Sequence, residues 1–217
     1  MTRTFTYKLS LLIKIGKEEH IDRLRQKGLI HSKTVKYFRE HEIEEIELRR
    51  DNREGAESSM AIKDLKLIVD NKELPFTFKE GRLNIFDPSF DLTHIYCLYA
   101  VTPDSANGQL FIDPRVANFG ETALLITNPE EFIKRIEKAT KNKYNCSYKP
   151  VMYYSDAKDY SRLSIFHKPE SLGFQQEFRF HFNHIENDDL EFEIGSIEDI
   201  SVKIESENLG QLTLRRE

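Results

Sequence analysis

The chain has 217 residues, with 32 Lys plus Arg against 37 Asp plus Glu and a formal charge of −5. That balance excludes a general polycation built to coat nucleic acid and leaves room only for local basic patches. Fifteen Phe and nine Tyr supply enough aromatic bulk for a folded core, and two Cys exclude a disulfide framework. Length and the absence of a linker, repeat or low-complexity tract predict one domain over 1–217. No apolar h-region follows Met1, and Leu9–Ile15 is too short to span a bilayer. The expectation is a cytoplasmic protein with no membrane partner.

Leu9, Leu11, Ile13 and Ile15 alternate with Ser10 and Lys14, a strand pattern. Lys17 to Lys27 reads as a short helix with Ile21 and Leu24 inward, stopped by Gly28. Phe38 to Glu57 holds four basic and eight acidic residues, which predicts a solvated loop or helix face. The apolar runs Leu65–Val69, Leu74–Phe78 and Leu83–Phe86 are separated by Asp70-Asn71-Lys72 and Glu80-Gly81, predicting a three-stranded meander. His94–Val101 is apolar on both faces, as a central strand is, and Thr122–Thr127 is a further strand.

Asn128-Pro129-Glu130-Glu131 starts a helix: Asn128 caps, Pro129 takes the first position and Glu131 can close the box. Phe132, Ile133, Ile136 and Ala139 form its inner face, with Lys134, Arg135, Lys138 and Lys141 outside. Val151–Tyr154, Phe178–Phe182, Leu190–Ile194 and Leu212–Leu214 complete the strands. Many short strands and about three helices, with no strict βαβ alternation, predict an α+β fold with a mostly antiparallel sheet.

There is no phosphate-binding Gly-x-x-x-x-Gly-Lys loop, no Gly-x-Gly-x-x-Gly and no Gly-x-Ser-x-Gly elbow, which argues against nucleotide-triphosphate, Rossmann and α/β-hydrolase chemistry. The absence of Cys-x-x-Cys disfavours zinc, and His181 and His184 fall on opposite faces of a strand, so no metal site is expected. Asp188, Asp189, Glu191 and Glu193 could hold a divalent cation, but they suit an exposed hairpin face better.

The segment Gly173 to Phe182 is the most informative. Period-two alternation sets Phe174, Phe178, Phe180 and Phe182 on one side and Gln175, Glu177, Arg179 and His181 on the other. Two readings stand: a strand with a wet polar face, or a strand crossing a cleft with a Gln-x-Glu pair aimed at a ligand. A carboxylate there can stabilise positive charge developing on a sugar ring. Around it, Tyr37, Arg39, Arg50 and Glu54 belong either to a solvated charged loop or to a loop over a pocket, where arginines meet phosphates and Tyr37 offers a stacking surface. Residues 132–149 carry six Lys or Arg against one acid, with Tyr144 and Tyr148 interleaved, so Lys138 and Tyr144 are candidate nucleic-acid contacts. Residues 186–207 reverse the balance, with nine acids and one Lys, and could dock a basic partner.

Taken in order, several segments resemble a group of uncharacterised bacterial and phage-encoded proteins: Leu12 to Ile21, Lys27-Gly28-Leu29-Ile30, Tyr37-Phe38-Arg39, Arg50-Asp51-Asn52-Arg53-Glu54-Gly55, Phe119-Gly120-Glu121-Thr122-Ala123-Leu124, His167-Lys168, Gln176-Glu177-Phe178-Arg179 and Ile194-Gly195-Ser196-Ile197-Glu198-Asp199-Ile200. A more distant resemblance is to ADP-ribosyltransferases, including toxins that modify nucleic acid, whose split-sheet fold takes NAD between two sheets. That resemblance implies a split sheet here, NAD as cofactor, and Glu177, Gln175 and Arg179 as catalytic residues. It implies Lys14, Tyr37, Arg39 and Arg50 at the cofactor, with Glu54, Lys138 and Tyr144 toward the substrate. The sequence departs from that pattern in carrying Lys14 where an Arg or His is usual and in lacking a Ser-Thr-Ser strand. The implied activity is a toxin or phage-defence effector that modifies a nucleic acid or protein acceptor and has a neutralising antitoxin partner. The alternatives are a metal-independent ribonuclease-type toxin using Arg39, Glu54, Glu177, Arg179 and His181, or a non-enzymatic defence or phage interaction protein.

Overall fold

The computed structural model describes residues 8–40, 51–102, 110–155, 157–183 and 189–213. Its strands are β1 (Leu11–Gly16), β2 (Leu29–Thr34), β3 (Ala56–Val69), β4 (Lys72–Phe86), β5 (His94–Val101), β6 (Thr122–Ile126), β7 (Asn145–Pro150), β8 (Met152–Tyr154), β9 (His167–Pro169), β10 (Glu177–Asn183), β11 (Leu190–Glu193) and β12 (Ser201–Glu205). The helices are α1 (Glu18–Lys27), α2 (Val35–Glu40), α3 (Pro88–Asp91) and α4 (Pro129–Thr140), with 3₁₀ turns at Pro114–Phe119, Glu170–Gln175, Glu198–Ile200 and Ser206–Gln211. The architecture is therefore α+β and rich in antiparallel sheet, as expected, with more helical pieces than the three or so anticipated.

An eight-stranded sheet runs β11-β2-β5-β1-β6-β12, with β10 and then β7 branching from β5. β5 is its hub. Ile13 faces Tyr99 and Lys33 faces Ile95, while Glu177 faces Tyr99 and His181 faces Ile95. β1 and β2 therefore divide one edge of β5 between them and β10 takes the other, all antiparallel. Among the described residues, only β8 and β9 pair in parallel.

Both faces of the sheet are covered. One carries Leu12, Tyr96, Leu98, Leu124, Phe178, Phe180 and Phe182 under Ile21 and Leu24 of α1 and Phe132 and Ile136 of α4. The other carries Leu11, Ile13, Tyr99, Val101 and Leu125 under Val116 and Leu209 of two 3₁₀ turns, and Ile95 under Val35, Ile165 and Phe166. The start of α4 follows its sequence: the Asn128 side chain accepts from the Glu131 N–H at 3.1 Å, and Pro129 stands first, where no N–H is needed.

Three expectations are corrected. The meander is a two-stranded ribbon of 14 and 15 residues, because the ladder continues through Lys63–Glu80 and Ile62–Gly81 and only Asp70-Asn71 turns, at φ 49° and 60°. The charged run from Phe38 is not solvated throughout: Asp51 and Glu54 are buried, while 41–50 lies outside the described residues. The strand expected at Leu212–Leu214 is reduced, among the described residues, to a β-bridge at Thr213 after the 3₁₀ turn Ser206–Gln211, and Leu214 lies outside the described residues.

Candidate functional site

Three stretches distant in sequence, around Glu54, Lys168 and Glu177–Arg179, converge. Strand β10 does not begin where the alternation suggested. Glu170–Gln175 is a 3₁₀ turn, Gln176 adopts a left-handed φ of 40°, and the strand starts at Glu177. From there the even positions enter the Phe-rich core, so Glu177, Arg179 and His181 point to the other face with Tyr99, Cys97 and Ile95, their register partners. Phe174 leaves the Phe178–Phe182 side: it packs with Phe119, and the Arg115 guanidinium lies 3.9 Å from its ring centroid.

On the Glu177 face, charge is concentrated where water is excluded. Arg179, fully buried, donates from Nη1 to Glu54 Oε1 at 2.5 Å, from Nη2 to Glu54 Oε2 at 2.9 Å, and from Nη2 to Glu177 Oε2 at 2.9 Å. It also donates to the Ile165 carbonyl. Lys168 Nζ donates to Gln175 Oε1 at 2.7 Å and Glu177 Oε1 at 2.6 Å, and lies 3.8 Å from Glu54 Oε2. The Tyr153 hydroxyl accepts the Glu177 N–H at 2.9 Å, so its own proton is free to be donated.

Glu54 reaches this point through a tight loop. The Glu54 and Ala56 N–H groups donate to the Asp51 and Arg53 carbonyls, and Gly55 holds a left-handed φ of 76° against Val35. Arg39 closes the rim. It donates to the Glu54 carbonyl at 3.4 Å, pairs with Asp91 at 2.7 Å and lies over Phe86.

Two cations thus face three carboxyl groups, which sorts the carboxyls. Burial alone would raise Glu177, but Lys168 and Arg179 outweigh it and hold its carboxyl at about 2. Glu177 is a permanent anion. Asp51 has no cation in contact: its Oδ1 accepts the Arg53 N–H at 3.0 Å, and its buried Oδ2 has no hydrogen-bond partner among the described residues. Burial, then the charge of Glu54, pushes Asp51 up to about 6. Burial pushes the Cys97 thiol up to about 12, so it stays protonated on this face. His181 is depressed to about 4 by burial and by Arg179, and is neutral. Such an arrangement is poor at grasping an external phosphate, because Nη1 and Nη2 of Arg179 are taken up by Glu54, Glu177 and the Ile165 carbonyl, leaving only its buried Nε without a partner among the described residues. It can hold one carboxylate ionised beside another that exchanges a proton near neutrality.

The remaining sequence-predicted residues lie apart. Lys14 faces the opposite side, opposite Leu124 in the ladder, with Nζ donating to the Cys97 carbonyl at 2.9 Å and lying 4.1 Å from the Tyr96 ring centroid. Tyr37 packs edge-on to Phe38 with Lys33 over its ring. Lys138 is on α4, again on the opposite side, and the rings of Tyr144 and Tyr148 pack on Phe192, Phe178 and Phe180 instead of standing free to stack on bases. Arg50 lies outside the described residues. Sequence reasoning missed Asp51, Lys168 and Tyr153 as site members; only the His167-Lys168 and Arg50–Gly55 segments hinted at them.

Beside the cluster, next to Tyr99, lies a cavity of about 180 Å³ lined by Tyr99, Phe111, Asp113, Phe174 and Gln176 among others. It is smaller than whole-ligand pockets, which run from about 300 Å³. A larger groove, about 650 Å³, lies on the far side between α4 and Glu193–Ser196. Its Lys138, Lys141 and Lys143 form no ion pair among the described residues, whereas Lys134 and Arg135 bind Glu130 and Glu131. Much of the acidic C-terminal surplus is neutralised within the chain: Asp189 meets His31 and Lys33, Glu198 meets Arg25, and Asp199 meets Arg135 at 2.5 Å.

Among the described residues, no three His, Cys, Asp or Glu side chains converge to hold a metal, and no helix is long and apolar enough to cross a membrane. Compared with known proteins, the chain matches no protein-family model, no curated protein and no solved structure.

Proposed function

We propose that the chain is an ADP-ribosyltransferase centred on Glu177. One observation carries this reading: the Lys168 ammonium gathers Gln175 and Glu177 at 2.7 and 2.6 Å while the carboxylate of Glu177 is held ionised. Transfer of a ribosyl group builds positive charge on the sugar, and a fixed anion in a site that excludes water stabilises it most strongly. A buried ion network adds little stability over an apolar core of the same volume, so chemistry is the better account of it.

The residues present fit the ribosyl end of NAD. The cavity next to Tyr99, which Gln176 lines and Glu177 does not, offers the rings of Tyr99 and Phe174 and the polar groups of Gln176 and Asp113. NAD supplies the activated ribosyl bond. Glu177 remains ionised throughout, Arg179 and Lys168 fix its position, and Asp51 takes or returns a proton near neutral pH. Lys14 has no part in that site. A nucleic acid or protein acceptor, a role as toxin or defence effector and a neutralising antitoxin partner belong to the same proposal, on the strength of the resemblance.

The test is NAD consumption by purified protein with cellular RNA, DNA or lysate. Wild type is compared with Glu177→Gln and Asp51→Asn. Gln at 177 takes a partner from both Lys168 and Arg179 and costs about 3–5 kcal/mol, so its rate is referred to the folded fraction. Asn at 51 removes the surplus charge and spares the fold. Loss of NAD and label transfer in wild type, absent in both variants, is the expected result. Wild-type turnover by folded Glu177→Gln, or no turnover with any acceptor, overturns it. The ribonuclease reading is less well supported, since Arg179 is fully buried with both Nη groups held by carboxylates and His181 is neutral. A second reading, a protein that binds polyanions without catalysis, is favoured by the free lysines of the α4 groove.

A further inference from the structure

The β3–β4 ribbon stands apart from the sheet. Among the described residues, β4 pairs with β3 and with no other strand. Contacts to the body gather at its base, where Ser59 bridges Tyr160, the Ala61 N–H donates to Asp159 and Arg82 donates to the Lys158 carbonyl. Among the described residues, six of the nine exposed large apolar side chains lie on it, including Ile68 at 67% and Phe76 at 49% exposure, so their exposed apolar surface is concentrated on one arm. A two-stranded ribbon alone is marginal in water, and its free edge is a template for another strand.

The charge of the arm selects the partner. Residues 56–86 hold five basic and five acidic side chains, so neither a polyanion nor a polycation gains from the arm as a whole. The order of the charges is more specific. The stretch Lys72-Glu73-Leu74-Pro75-Phe76-Thr77-Phe78-Lys79-Glu80 is its own complement about Phe76. Laid antiparallel on a second copy about Phe76, position 72 (Lys) meets 80 (Glu) and 76 meets itself. A two-fold axis repeats each pair, the arrangement an isologous contact requires. Directly opposed residues lie about 4.5–5.5 Å apart and opposite charges there attract.

β4 is the strand suited to this. The β3 edge is taken at its base by 158–160 and is interrupted by the left-handed φ of 52° at Asp64. Pro75, which has no N–H to give, falls where the β3–β4 register shifts between Lys66 and Ile68, so its missing donor is absorbed by the irregularity.

We propose that β4 is a homodimerisation strand, pairing antiparallel with β4 of a second copy about Phe76. The pairing joins two ribbons into one four-stranded sheet. It does not depend on the activity at Glu177.

The experiment has two parts on the full chain. Mass by analytical ultracentrifugation over a concentration series is expected to show a dimer for wild type. Lys72→Glu opposes like charges twice and raises the dissociation constant about tenfold; Lys72→Glu with Glu80→Lys restores dimerisation. Because residue 76 faces itself, Phe76→Cys is expected to form an intermolecular disulfide on mild oxidation, while Leu83→Cys and wild type, with its own Cys97 and Cys146, do not. A chain that stays monomeric at every concentration overturns the proposal. So does a dimer that Lys72→Glu leaves intact and Phe76→Cys fails to cross-link.

Discussion

Asp51 differs from the four charged groups around it in having no opposite charge in contact among the described residues. Its carboxyl, ordinarily near 3.8, stands at about 6 because burial and Glu54 both oppose ionisation. Below pH 4 the group is protonated in folded and unfolded chains alike. Between pH 4 and 6 the folded chain holds a proton that the unfolded chain has released, so stability falls as pH rises through this window. Above it, Asp51 leaves the fold about 3 kcal/mol less stable than it would be with a neutral side chain. Asp51→Asn keeps an oxygen for the Arg53 N–H and removes the charge, so it should raise stability at pH 7 by about 2–3 kcal/mol and flatten this decline. Urea unfolding from pH 4 to 7 measures both, and an Asn variant less stable than wild type at pH 7 defeats the assignment. Glu177 has the opposite sign. Held at about 2, it contributes stability that is present above its ordinary 4.5 and lost as pH falls through 2.

At the scale of elements, the close of α1 shows how backbone geometry is written into sequence. Gly28 adopts φ 66°, its N–H donates to the Leu24 carbonyl at 2.8 Å, and a Cβ there would lie 2.0 Å from the Gly195 carbonyl oxygen. Gly195 also has a left-handed φ, 82°, but nothing within 4 Å of a Cβ. Gly195→Ala should therefore cost about 1 kcal/mol, the left-handed penalty alone, and Gly28→Ala at least about 2–3 kcal/mol. Denaturant midpoints give the order, and equal losses would show that the contact yields. This cap was legible, as were the alternation of β1, the central β5 and the Asn128 start of α4. The ribbon was not, because Glu80-Gly81 reads locally as a turn and only the pairing of β3 across it shows a continuous strand. The Gln175–Glu177 juxtaposition was foreseen for the wrong reason. The pleat does not make it; a 3₁₀ turn and the lysine of β9 do. Asp51 and Glu54 were hidden for a related cause. A charged side chain can be buried when its counter-ion arrives, and Arg179 lies 125 positions from Glu54.

For the whole molecule, a net charge of −5 conceals a division between two faces. The Glu177 face consumes its cations internally, whereas the α4 groove leaves Lys138, Lys141 and Lys143 without ion pairs among the described residues. A polyanion bound there releases counterions for each phosphate neutralised, about 0.7–0.9 per contact in the slope of log affinity against log salt. Changing all three lysines to Ala should weaken RNA binding at low salt and lower that slope by about 2. The sheet lies between groove and cluster, so the same variant should leave NAD consumption with a small acceptor unchanged, while losing it with RNA if RNA is the acceptor held at this groove. Binding titrations at several salt concentrations, run beside NAD turnover, separate the faces. An unaltered slope would mean that these lysines are only solvated, and a fall in small-acceptor turnover would mean that the two faces are coupled through β5 and β10.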